Sequence, residues 1–179
     1  MDDEGKQTNV FFEHGVSSLK SLINGVNQES MEKIKFVFFH TADINSLLSH
    51  RFDNNDLDKK YIIISTAVMK PIAMYFYARY TNILAVLDAS ESVQRIAERV
   101  TLSCLSSKRE IYGKKRIRAL TNREFLLLSL TMKGFDIWKI AMILNISMKK
   151  AYSCRMIVCQ KMGVRKMAHL KFTFTQVNK

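Results

Sequence analysis

Eight residues near the C-terminal end of the chain combine charge, hydrogen-bonding capacity and close spacing: Lys149, Lys150, Tyr152, Ser153, Arg155, Lys161, Arg165 and Lys166. Ammonium groups and guanidinium forks are donors without acceptors, so such a cluster suits a polyanion. The chemistry these residues point to is binding. Bond-making has no comparable support. His14, His40, His50 and His169 sit in no triad or metal-ligand spacing, and no glycine-rich phosphate loop is present. Cys104, Cys154 and Cys159 are an odd, sparse set without a C-x-x-C pair, which reads as reduced thiols and not as a zinc site or disulfide framework. No enzymatic activity, cofactor or metal is expected.

The distribution of charge sharpens this reading. Residues 1–107 hold 11 Lys/Arg against 13 Asp/Glu, whereas residues 108–179 hold 17 Lys/Arg against three acids, Glu110, Glu124 and Asp136. A near-neutral part followed by a strongly basic one predicts two domains, the second facing nucleic acid. The basic part is too rich in apolar residues for a solvated tail. No run approaches the roughly 18 apolar residues of a membrane span, and the start, Met1-Asp2-Asp3-Glu4, is acidic where a signal peptide is basic. Cytoplasmic residence at the nucleoid, without membrane association, is the expectation.

The elements that must position the cluster are punctuated clearly. Thr121-Asn122-Arg123-Glu124 has the form of a capping box opening a helix that ends near Met132, with Gly134 as the left-handed stop. Asp136 caps a second helix over 137–144, Asn145-Ile146 makes a tight turn, and Ser147 caps a third helix that reaches Met162 and stops at Gly163. A short fourth helix is predicted over 166–172. Two helices joined by a few residues, the second long and basic, form a helix-turn-helix. Ile140, Ala141, Leu144 and Ile146 supply its core, and the small Ala141 permits a close crossing. Cys154 reads as packed or groove-facing, and Trp138 as a core or helix-packing residue.

The first part reads as α/β. Apolar runs at 10–12, 36–39, 61–64 and 83–87 are predicted as parallel strands buried on both faces. Stripes at helical spacing lie between and after them: Val16, Leu19, Leu22 and Ile23; Ile44, Leu47 and Leu48; the segment from Pro71 to Tyr80; and Val93, Ile96, Ala97 and Val100, continuing to Leu105. Residues 106–117, polar and basic without an apolar stripe, read as a linker. The domains are then 1–105, α/β, and 118–179, all-α.

In order and spacing, Leu120-Thr121-x-Arg123-Glu124, Leu127-Leu128, Gly134, Ile140-Ala141, Leu144, Ile146-Ser147 and Lys161-Met162-Gly163-Val164 resemble the LuxR/FixJ (NarL-type) DNA-binding domain over about 50 residues. The resemblance implies that the third helix enters the major groove, that the fourth pairs two protomers on a two-fold-symmetric duplex site, and that Lys161 contacts phosphate. Where that family commonly has Thr-Val-Lys-x-His, this chain has Lys150-Ala151-Tyr152-x-Cys154, so the target sequence does not transfer.

Members often carry a phosphate-accepting receiver domain first, and 9–105 resembles a shortened, truncated flavodoxin-like one. By that resemblance Glu13 stands in the acidic pair, His40 replaces the aspartate acceptor with Asp43 three residues later, Thr66 keeps the hydroxyl, and Leu87 replaces the lysine. A receiver degenerate in this way is expected not to be phosphorylated. Its role would be association, through the crowded aromatic helix of Met74, Tyr75, Phe76, Tyr77 and Tyr80, as in the similar RcsA/BglJ-type auxiliary regulators. The leading expectation is a sequence-specific, phosphorylation-independent transcriptional regulator. It would act as a homodimer, or as a heterodimer with another LuxR/FixJ-type regulator, with RNA polymerase a further candidate contact. The alternatives are an adaptor that binds a partner response regulator and reads little DNA itself, and a phosphorylation-activated response regulator.

Overall fold

The computed structural model describes residues 10–23, 32–50, 52, 59–105, 110–111 and 118–170. Helix α1 (Val10–Leu22) is followed by β1 (Ile34–Phe39), a 3-10 turn (Thr41–Asp43), α2 (Ile44–Ser49), β2 (Lys60–Ser65), α3 (Lys70–Arg79), β3 (Ile83–Asp88), α4 (Val93–Leu105) and β4 (Glu110–Ile111). The strands form one parallel sheet in the order β1-β2-β3-β4. Successive strand residues point to opposite faces. Ile62 and Ile64 accordingly join Leu19, Ile34, Leu87, Ile96 and Val100 beneath α1 and α4, while Ile63 and Val86 join Phe39, Ile44, Leu47 and Ile72 beneath α2 and α3. Helices on both faces are the reason the strands read as continuous apolar runs.

The expected α/β class is therefore observed, with one strand fewer than predicted at the start. Residues 10–12 open α1. A three-residue apolar run carries no period of its own, and the 4-3-4 spacing of Phe12, Val16, Leu19 and Ile23 extends the helical stripe back through it. The expected linker also needs correction. Within 106–117, Glu110 and Ile111 pair with Ala85 and Val86 and extend the sheet; the other residues of that segment lie outside the described ones.

Helices α5 (Asn122–Met132), α6 (Ile137–Ile143) and α7 (Met148–Met162) follow, then a 3-10 turn (Met167–Leu170). The predicted fourth helix is that turn, and residues 171 and 172 fall outside the described ones. The predicted caps form. Thr121 Oγ1 accepts from the Glu124 amide while Glu124 Oε2 accepts from the Thr121 amide, Asp136 Oδ1 accepts from the Lys139 amide, and Ser147 Oγ accepts from the Lys150 amide. Gly134 and Gly163 both have positive φ, 90° and 67°, as the C-terminal stops require.

The two parts share one apolar interior. Leu120, Leu127, Leu128, Met132, Ile140, Val158 and Met162 pack in the same cluster as Ile72, Tyr75, Phe76 and Phe39. Tyr75 stacks on Phe125 with ring centroids 4.1 Å apart and 4° between planes, and Phe76 meets Phe125 edge-on. The Leu120 amide donates to the Pro71 carbonyl at 3.2 Å, and the Tyr75 hydroxyl to Asn122 Oδ1 at 3.3 Å. Burial pushes the Tyr75 phenol up, keeping it a neutral donor.

This joint overturns the expectation of an exposed aromatic surface for a partner. Met74, Tyr75, Phe76 and Tyr77 are each no more than 8% exposed, and Tyr80 is half-buried against Phe52 and Phe76. Phe125 of α5 covers Tyr75 and Phe76, the centre of that aromatic helix. Tyr75→Ala, which removes a buried ring from the joint, is expected to destabilise the chain by about 3 kcal/mol. Urea unfolding followed by far-ultraviolet circular dichroism should show the whole transition moving to lower denaturant; a C-terminal transition left in place would contradict a shared core.

Candidate nucleic-acid interface

Helix α7 is built to show one face and bury the other. Ala151, Cys154, Val158 and Met162 recur at three- and four-residue spacing and are buried against α5 and α6. Ala151 is fully buried and Ala141 nearly so, which lets the helices approach closely. The turn between α6 and α7 holds Asn145 at φ 49°, and the Ile146 amide closes it onto the Ala141 carbonyl at 3.0 Å. Burial, reinforced by the charge of Glu124, pushes the Cys154 thiol up, so it packs as a small apolar side chain and not as a reactive thiolate.

The other face carries the predicted residues. Lys149, Lys150, Tyr152 and Ser153 are exposed on the first turns of α7, clear of both parts' interior. Arg155 lies with its guanidinium carbon 5.0 Å from the Tyr152 ring centroid, a cation–π contact that restricts the fork before any ligand arrives. Arg165 and Lys166, both exposed, join Arg155 around an open groove of about 910 Å³ at the other end of the helix, floored by Met156, Ile157 and Met167. Seven of the eight residues thus lie along one outer face or its continuation.

Lys161 does not. Its Nζ donates to Glu124 Oε2 at 2.7 Å and to the Ala119 carbonyl at 2.8 Å, and its side chain is only 15% exposed. The expected phosphate contact is instead an internal tie between α7 and the cap of α5. Glu124 is buried and already accepts from the Thr121 amide, so it requires a cation close by. Trp138 also departs from expectation. It is 61% exposed rather than in the core, and with Met142 and Met148 it borders a shallow notch beside the start of α7. The legible signal was its spacing: Trp138 and Met142 are four apart, off the Ile137, Ile140, Ala141, Leu144 stripe.

The receiver-like positions do not assemble a phosphotransfer site. Glu13 lies within α1 and not after a strand. His40, at the end of β1, uses Nδ1 to accept from the Ala42 amide at 3.1 Å and so starts the 3-10 turn that contains Asp43. The Thr66 amide donates to the Phe39 carbonyl at 3.1 Å. Leu87 is fully buried beneath α1 and α4, and its half-buried neighbour Asp88 ends the strand.

There Asp88 meets Lys70, a residue the sequence reading passed over. Lys70 is 4% exposed and its Nζ is 3.2 Å from Asp88 Oδ2, while the Ser90 amide and hydroxyl donate to Oδ1 at 3.0 and 2.7 Å. A single charge in the apolar run 68–73, just ahead of Pro71, was the available signal. Burial alone would raise the Asp88 carboxyl, but the Ser90 hydrogen bonds and the Lys70 charge together outweigh it and hold the pKa below its ordinary value of 3.8. Both carboxylate oxygens are occupied. Among the described residues no group of three or more His, Cys, Asp or Glu side chains is placed to hold a metal ion.

Residues 118–171 match the family model described as bacterial regulatory proteins, luxR family. This segment, which holds α5, α6 and α7, is thus similar to the LuxR-type helix-turn-helix domain. Comparison of the chain with curated proteins gives no match. Among solved structures, the chain is similar to the RcsB response regulator of Salmonella typhimurium, in a study of its conformational dynamism for DNA interaction, at 16% identity over 92% of this chain and 93% of that one, with a TM-score of 0.37.

Two outcomes test this geometry. Lys161→Ala leaves the Glu124 carboxylate buried without its cation and is expected to cost about 3 kcal/mol, read as a lower urea midpoint without a matching change in the salt dependence of any DNA binding. A depressed folded-state pKa for Asp88 means that its contribution is complete above the ordinary carboxylate value and lost as pH falls through the lower folded one. Asp88→Asn should therefore flatten the decline in stability on acidification below pH 3.8, measured by thermal unfolding across the acid range.

Proposed function

We propose that the chain is a sequence-specific, phosphorylation-independent transcriptional regulator that binds duplex DNA as a dimer, formed with a second copy or with another regulator of the same family. The observation that carries this reading is the exposure of Lys149, Lys150, Tyr152 and Ser153 on one face of α7, whose opposite face is locked into the shared core. A rigid cationic helix with a free edge is what major-groove insertion requires. Lysines supply phosphate attraction, and Arg155, already oriented by Tyr152, supplies a two-pronged donor for a guanine edge. Arg165 and Lys166 extend the contact along the backbone. Independence from phosphorylation is supported by His40 at the acceptor position and by the buried Leu87 at the lysine position. Among the described residues no helix is long and apolar enough to cross a membrane.

The test is binding by purified protein to a duplex selected from a random pool. A two-fold-symmetric site should emerge, with log Kd changing by roughly 0.9 per neutralised phosphate for each tenfold change in salt. Lys149→Ala should reduce that slope by about 1 while weakening all sequences alike. Arg155→Ala should lose about 1–3 kcal/mol of discrimination at one base pair. Selection that enriches no sequence, with protection appearing only when a partner regulator is added, would replace this reading with the adaptor role. A phosphate adduct after incubation with acetyl phosphate and magnesium would replace it with a phosphorylation-activated one.

A further inference from the structure

Helix α7 carries more exposed apolar surface than its packing requires. Met148, Tyr152 and Met156 are all exposed, Met156 to 73%, and none belongs to the buried stripe of Ala151, Cys154, Val158 and Met162. At positions i, i+4 and i+8 they form a continuous ridge along the helix. Lys149, Ser153 and Gln160, also exposed, run beside it on the outward face. At its first residue the ridge meets Trp138 and Met142, which border the same notch as Met148. Single apolar residues on a surface are ordinary. Three in register among the cations of α7 define an interaction surface.

Two properties of the ridge select its ligand. It is apolar, and it is bordered by cations: Lys149 and Lys150 at its start, and Arg155 at its side with the guanidinium carbon 5.0 Å from the Tyr152 ring centroid. Such a strip fits a polyanion that presents apolar groups at one edge. The major groove of DNA is a surface of this kind, because thymine carries a methyl group there. Over a guanine or cytosine edge, a thioether or an aromatic ring leaves donors and acceptors unpaired at a cost. The unbranched methionines adapt readily to the positions of the methyls. From Met148 to Met156 the helix rises about 12 Å, the length of about three base-pair steps of roughly 3.4 Å each.

We propose that Met148, Tyr152 and Met156 read thymine methyl groups in the major groove, so that the half-site facing α7 is rich in T·A pairs. The inference rests on the DNA-binding reading and adds to it the class of base recognised. Lys149 and Lys150 attract any duplex, Arg155 takes one guanine edge, and the ridge supplies the preference for thymine beside it.

The experiment uses the full chain and the duplex obtained by selection, with each thymine replaced in turn by uracil. This removes the methyl and leaves the pairing edge intact. Loss of one buried methyl should weaken binding about fourfold, at two or more positions. In Met156→Ala, uracil at one of those positions should have no further effect, and Tyr152→Ala should behave likewise at a neighbouring one. Lys149→Ala should keep the full sensitivity to uracil at each. Met156 and Tyr152 are exposed, so their replacement leaves the core intact, and unaltered urea midpoints confirm it. An enriched site that tolerates every uracil overturns the inference and leaves the regulator reading standing. Sensitivity that persists unchanged in both Met156→Ala and Tyr152→Ala also overturns it, as an effect of duplex shape. A pool from which nothing is enriched overturns both readings. Uracil without effect, together with a Met156→Glu variant that light scattering shows to be monomeric where the parent is a dimer, assigns the ridge to a second copy instead.

Discussion

Tyr75 lies flat on Phe125, and around that contact the helices of two chemically dissimilar parts close over a common interior. The apolar attraction is non-directional; the polar contacts supply direction. The Leu120 amide on the Pro71 carbonyl and the Tyr75 hydroxyl on Asn122 fix where α5 begins relative to α3. The position of α5 in turn fixes α7, because the Glu124–Lys161 pair and the Ala119 carbonyl tie the two. The outward direction of Lys149 and Lys150 is therefore set by a chain of contacts that begins inside the α/β part.

The same contacts explain how so basic a segment remains folded with its charge directed outward. Glu124 and Asp136 both serve at helix starts, where the dipole favours negative charge. Glu124 also neutralises Lys161 internally. Neither acid is left to screen the cations on the outer face of α7. The few negative charges hold the scaffold, and the many positive ones face solvent.

Local order was legible where the sequence punctuates itself. Thr121, Asp136, Ser147, Gly134 and Gly163 each act through a bond or dihedral within a few residues, and a reading of neighbours suffices to place α5, α6 and α7. The strands β1, β2 and β3 were legible because both faces are covered, leaving unbroken apolar runs. What stayed hidden depends on contacts distant in sequence. That Lys161 turns inward is decided by Glu124, 37 residues away, and by the Ala119 carbonyl 42 residues away. That the aromatic ridge of α3 is covered is decided by Phe125, and an apolar excess on one helix does not say what will cover it. Residues 10–12 failed for another reason: three apolar residues fit either period, and only the stripe further along selects the helix.

Joining the parts through a common interior also limits how this architecture can be recombined. Flexibly tethered domains can be exchanged between proteins by cutting the tether, since each carries its own finished surface. Here α3 supplies the floor on which the C-terminal helices rest. A graft of 118–179 onto a foreign partner would carry Phe125 and Leu120 without the rings and carbonyl that receive them. Changes in α3 and in α5 must accordingly be inherited together, and the two segments should drift as one unit despite the 42 residues between Arg79 and Asn122.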